Sequence, residues 1–172
     1  FVLPFIFCPS GKIREREAAG MAFYRQWKDE GWLMTAGESR VDHRTIQQVI
    51  RECCDLYNVT EIGFDPWGAD GVVNELIDEG TPMIAVSQGL AGMTPGTRAL
   101  LDDISEKRIF HGGNPVMSWC LSNCTADQKA DGAVRFNKHK SSDKIDAAVA
   151  LAMARGRELA ASQSKVEPEI FF

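Results

Sequence analysis

Asp65, Asp143 and Asp146 are the residues of this sequence whose type and setting could do chemistry. Asp65 ends the apolar run "VTEIGFD" and is followed by Pro66, Trp67 and Gly68. Asp146 opens the small-residue stretch "DAAVALAMA", one turn after Asp143, so the two share one side of a first helical turn. If Asp65 and Asp146 converge, their oxygens suit hard divalent cations, Mg²⁺ or Mn²⁺, which keep several waters for a phosphate to replace. Two such ions about 3.5–4 Å apart activate a water and stabilise the leaving oxygen of a phosphodiester. Two carboxylates are few for that task, and a third acid is normally wanted. Arg135, Lys138, His139 and Lys140 run straight into the acidic turn, where they can hold a DNA backbone without reading its bases.

Each of these residues also has a plainer role open to it. Asp65 can be a turn aspartate that satisfies backbone N–H groups of the next helix. Asp143 suits a helix cap, and both acids of the turn favour the positive end of a helix dipole. Asp146 shares a face with Val149, Ala150 and Met153, so its carboxylate is expected to point toward the sheet, a costly position without a partner or a metal. The basic residues also fit a solvated hairpin edge guarded by lysine. His111 in "FHGGNPVMSW" suits a structural role better than that of a ligand or base.

The elements that must position these residues alternate between strand and helix signals. "FVLPFIF" reads as a strand, with Pro4 suited to an edge. "REREAAGMAFYRQWKDEG" reads as one helix ending at Gly31, and Asp42 as the cap of the helix "HRTIQQVIRECCDLY". The strand "VTEIGFD" leads to the helix "ADGVVNELIDEG", and "MIAVSQ" is a further buried strand. "TPGTRALLDDISEKR" reads as a helix with Pro95 near its start, and "NPVMSWCLSN" as one capped by Asn114 with Pro115 in its first turn. "CTADQKADGAVRFNKHK" has the alternation of a hairpin turning at Asp131-Gly132. A last helix is expected from about Asp143, with residues 158–172 as a weakly specified tail. This order implies a single α/β domain over 1–172, three layers deep, with a mixed central sheet flanked by helices.

Composition narrows the class. At 172 residues the chain supports one sizeable core, and 44% hydrophobic with 25% charged residues is ordinary for a folded soluble protein. The five cysteines, two of them adjacent at Cys53 and Cys54, argue against a secreted disulfide framework and for a reducing cytoplasm. Cys120 and Cys124 lack a second pair at zinc spacing. No apolar run approaches the roughly 18 residues that span a bilayer, and "FVLPFIFCPSG" has no signal-peptide flanks. A net charge of -5 argues against an extended nucleic-acid coat but not against a local basic groove on an acidic body.

Three blocks, "EIGFDPWGA", "VSQGLAGMTPGTRALLDDISEKRIFHGGNPVMSWCLSN" and "FNKHKSSDKIDAAVALAMA", in that order and at these intervals, resemble the C-terminal nuclease domain of the large terminase subunit of tailed bacteriophages, of the HK97-like type. The likeness runs from about residue 1 to residue 157. It implies an RNase H-like fold with a hairpin beside the site, and a metal-dependent endonuclease that cuts concatemeric viral DNA during genome packaging in the host cytoplasm. It implies Asp65 and Asp146 as metal ligands in a two-metal Mg²⁺ or Mn²⁺ site, with Asp143 at a more variable acidic position. Arg135, Lys138 and Lys140 then contact double-stranded DNA. A terminase ATPase domain, a small terminase subunit and a portal protein are the partners implied.

Two departures accompany the resemblance. The family's first acid lies on a strand upstream of the segment resembling "FVLPFIF", and nothing before Phe1 supplies it, so weak metal binding and little or no activity are expected. "PSGK" at residues 9 to 12 lacks the spacing of a phosphate-binding loop, so ATP hydrolysis is not expected of this chain. A noncatalytic DNA-gripping or docking module, and another RNase H-like nuclease of resolvase or transposase type, remain as alternatives.

Overall fold

Gly20 interrupts the first helical pattern. In the computed structural model, which describes residues 1–164, its φ is +87°. L-residues with a Cβ avoid that conformation, and it splits the expected single helix into α1 (Ser10–Ala18) and α2 (Phe23–Asp29). The break lets α2 fold back on α1. Ile13, Tyr24, Trp27, Leu33 and Val116 are thereby buried together. The rings of Phe23, Tyr24, Trp27 and Trp119 stand 4.6 to 5.8 Å apart in tilted and edge-on pairs, a geometry that adds quadrupole attraction to area burial.

Strand pairing falls into three short ladders. β1 (Phe7–Cys8) pairs in parallel with β2 (Met34–Thr35). Ahead of β1, residues 1–6 alternate between exposed and half-buried, as an extended segment does. After α3 (His43–Leu56), whose first turn is capped by the Asp42 carboxylate accepting from Arg44 N–H, comes β3 (Ile62–Phe64). Beyond α4 (Asp70–Asp78), β4 (Met83–Ala85) pairs in parallel with β3, opposing Gly63 to Ile84. Parallel pairing requires the crossover that α4 provides.

The second core is built where α5 (Leu90–Ser105) crosses the last helix. α5 begins earlier than the sequence suggests and carries Pro95 inside it. α6 (Pro115–Ser122) opens on Asn114, whose Oδ1 accepts from Met117 N–H at 2.9 Å. β5 (Ala126–Gln128) and β6 (Val134–Phe136) form the expected antiparallel hairpin, with Asp127 opposite Arg135. α7 then runs from Asp146 to Ser164. It starts later than expected and continues into the segment expected to be a tail, because "RELAAS" keeps its helix-forming composition to that point. Residues 165–172 of that expected tail lie outside the described residues.

Leu100, Ile145, Ala148 and Ala152 are almost wholly buried at this second core, with Phe136, Val149 and Met153 beside them. Gly96 makes the approach possible. A Cβ there would stand 1.9 Å from the Ala152 carbonyl oxygen and 2.8 Å from Gly156 N. The adjoining buried carboxylate, Asp103, is held by Arg155 at 2.7 Å and Arg108 at 2.8 Å. Both bonds hold its carboxyl below the usual carboxylate range.

β6 is fastened to α5 as well as to β5. Thr94 Oγ1 accepts from Val134 N–H at 3.0 Å and donates to the Leu90 carbonyl at 2.7 Å, and Arg98 donates to the Gly132 carbonyl at the hairpin turn. Among the described residues, no helix is long and apolar enough to cross a membrane.

Candidate functional site at the start of α7

The acidic turn is assembled by the loop between β6 and α7. Asn137 organises it: its Oδ1 accepts from the backbone N–H of His139 and Lys140, and its Nδ2 donates to Asp127 Oδ2 at 2.6 Å. Lys140 Nζ reaches back to Asp127 Oδ1 at 2.7 Å. Those two bonds, Lys140's foremost, keep the Asp127 carboxyl below its ordinary range. Ser141 Oγ accepts from Thr125 N–H, closing the loop onto the hairpin.

Asp146 stands at the end of this loop as the first residue of α7. Its Oδ1 accepts from Lys138 Nζ at 2.7 Å, and the two side chains are 64% and 59% exposed. The expectation that Asp146 points toward the sheet is corrected. The buried stripe of the helix runs through Ile145, Ala148, Val149, Ala152 and Met153, which leaves Asp146, Ala150 and Ala154 on the outer side. Asp143 does not cap the helix, since α7 starts beyond it. Its Oδ1 accepts from Lys144 N–H at 2.8 Å and its Oδ2 from Arg16 Nη1 at 3.1 Å, tying α1 to the approach of α7.

Asp65 sits at the carboxyl end of β3. Its Oδ1 accepts from Trp67 N–H at 3.0 Å, the turn-aspartate geometry that the sequence left open. Gly68, with φ +76°, completes the bend, and Trp67 is presented to solvent with 91% exposure. Arg135 turns away from the acidic turn: its Nη1 donates to the Gln88 carbonyl at 3.1 Å, docking the hairpin onto the segment after β4. Lys138 and Lys140 do lie at the turn, each engaged with a carboxylate.

A cavity of about 280 Å³ opens here, lined by Lys138, Ser141, Asp143, Lys144, Ile145 and Asp146. Asp65 does not line it. Carboxylate oxygens are the donors that Mg²⁺ and Mn²⁺ prefer. Yet among the described residues no group of three or more histidine, cysteine or acidic side chains comes together to hold a metal ion, and the two acids on the cavity each carry a cationic side chain already. The residues described do not by themselves fit a complete two-ion centre.

Three residues of the site escaped the sequence reading: Arg16, Asp127 and Asn137. Asp127 lies on the first arm of the expected hairpin and Asn137 at the exit of its second arm, which are the signals for the latter two. Nothing local to Arg16 indicates a partner 127 positions away.

Comparison with known proteins places this geometry. The family model "Terminase large subunit, endonuclease domain" matches residues 2–162. The chain is 32% identical over 138 residues to "Protein YmfN" of Escherichia coli (strain K12), covering 79% of this chain and 30% of that protein. It is 29% identical over 157 residues to "Terminase, large subunit" of Enterobacteria phage HK97, covering 90% of this chain and 31% of the relative. The chain thus spans about a third of the length of the relatives it matches. The crystal structure of the HK97 bacteriophage large terminase superposes with a TM-score of 0.79 at 28% identity, covering 88% of this chain and 32% of that one. The fold is the α/β, RNase H-like one the sequence implied. With the model matching nearly its whole length, this chain belongs to the endonuclease-domain family of terminase large subunits.

Proposed function

We propose that the chain is the DNA-cleaving part of a large terminase, a divalent-metal-dependent endodeoxyribonuclease that cuts concatemeric viral DNA during packaging in the host cytoplasm. The observation that carries this reading is the family match over residues 2–162. Support from the geometry comes from Asp146, an exposed carboxylate at the foot of a lysine-bearing hairpin loop, beside an open cavity. Duplex DNA is the substrate in this reading, held along the loop by Lys138 and Lys140, and an ATPase domain, a small terminase subunit and a portal protein are the partners. Arg135 serves the contact indirectly, by fixing the hairpin.

Mg²⁺ or Mn²⁺ belongs to the proposal as cofactor, with Asp65 and Asp146 as ligands and Asp143 as a third. Since the described carboxylates do not complete a centre, a further ligand has to join them. That same shortfall supports the second reading, a noncatalytic module that grips DNA. Cleavage of supercoiled plasmid in Mn²⁺, Mg²⁺ or EDTA, with Asp146→Ala alongside, separates the two. Metal-dependent nicking that the variant loses supports the nuclease. Salt-sensitive DNA binding with no nicking in any metal supports the gripping module.

A further inference from the structure

The cations around Asp146 are not equally available to a ligand. Arg16 is bound to Asp143, Lys138 to Asp146, Lys140 to Asp127 and Lys12 to Glu15. Lys144 differs from all four. Its side chain is exposed and makes no hydrogen bond or ion pair among the described residues. Its backbone, by contrast, is pinned on both sides: the carbonyl accepts from Asn123 Nδ2 at 3.1 Å and the N–H donates to Asp143 Oδ1 at 2.8 Å. The next residue, Ile145, is 1% exposed in the core. A free ammonium therefore stands on a fixed base.

Lys144 also occupies a shared wall. It lines the cavity beside Asp143 and Asp146, and with Asp146 it lines a second cavity of about 280 Å³ that reaches Cys8, Trp27 and Trp119. In that second cavity it joins Lys12 and Arg16 in facing Cys8, whose thiol burial pushes up and these three cations draw back down. Lys138 must give up a carboxylate before it can hold a phosphate. Lys144 surrenders nothing, so a phosphate bound to it gains the full charge-assisted contact.

We propose that Lys144 is the principal phosphate anchor of the site, holding a backbone phosphate of duplex DNA next to Asp146, and that Lys138 and Lys140 are secondary contacts. The inference rests on the DNA-cleaving reading above and deepens it. Lys144 acts as a binding and positioning residue, not a reacting group.

The test is fluorescence-anisotropy binding of a short labelled duplex of mixed sequence across a salt series, for wild type, Lys144→Ala, Lys144→Arg, Lys138→Ala and, as a charge control, Lys107→Asn on the turn after α5. Loss of one phosphate contact lowers the magnitude of the slope of log K against log salt by about 0.9. Lys144→Ala is expected to show that loss with at least a fivefold weaker affinity at low salt, more than Lys138→Ala, while Lys144→Arg and Lys107→Asn keep the wild-type slope. An unchanged slope and affinity in Lys144→Ala overturns the assignment while leaving the nuclease reading intact. No binding by any protein, wild type included, overturns both.

Discussion

Lys138 Nζ lies 2.7 Å from Asp146 Oδ1, so the carboxylate proposed to work on DNA rests against an ammonium from its own hairpin loop. Both groups are mostly solvated, and an exposed pair of this kind contributes about 0–1 kcal/mol. The pair is readily exchanged for another partner.

Asp146→Ala therefore separates function from folding. Its unfolding free energy stays within about 1 kcal/mol of wild type by denaturant titration. Plasmid cleavage drops on the order of a hundredfold or more, the scale of a positioned catalytic group. Undiminished cutting by the variant removes Asp146 from the mechanism.

Asp143→Ala is expected to affect folding as well. Its carboxylate joins α1 to the approach of α7 through Arg16, and both side chains are largely covered. A hydrogen-bonded charge of this kind is worth about 1.5–3 kcal/mol, so the variant is expected to be destabilised by that amount in urea. A stability equal to wild type shows that the ion pair does not hold α1.

Asp103 gives the fold an acid-sensitive point. Its folded-state pKa is depressed, so in acid the unfolded chain takes up the proton first; the contribution is whole above about pH 5 and fades as pH falls through the folded value. Asp103→Asn is expected to have a lower melting temperature at pH 7 and a shallower decline toward pH 2–3. Parallel wild-type and variant curves across that range exclude this carboxylate as a source of acid lability.

Gly96→Ala tests the helix crossing. The added methyl would meet the Ala152 carbonyl at 1.9 Å, a backbone atom that cannot swing aside, whereas Gly156→Ala meets Gly96 atoms at 3.4 Å. The first is expected to cost about 3 kcal/mol or more and the second far less, read from thermal melts. Equal effects show that α5 and α7 can separate cheaply.

The order of elements was legible because each signal is local. Asp42 and Asn114 each cap the helix expected of them, and Asp131-Gly132 turns the hairpin. What failed depended on contacts distant in sequence. The early start of α5 is one such case, with Pro95 kept inside a helix that tertiary packing holds. Asp146 is another: the stripe that packs inward is centred on Ile145, Ala148, Val149 and Ala152, so Asp146 and Ala150 fall just outside its edge, a boundary that tertiary packing sets and spacing alone does not. The charged partners of the site were hidden for the same reason, since Arg16 and Asp127 reach it from other elements.

The fastening of β6 to α5 has a mechanical meaning. In the proposed reading, a load on DNA held at the loop after β6 would reach a strand whose Val134 N–H is bonded to the Thr94 hydroxyl of α5, and α5 in turn meets α7 at the close contact of residues 96 and 156. The hairpin is then braced on the core helices as well as by its own ladder, and a pull on its loop is shared with α5.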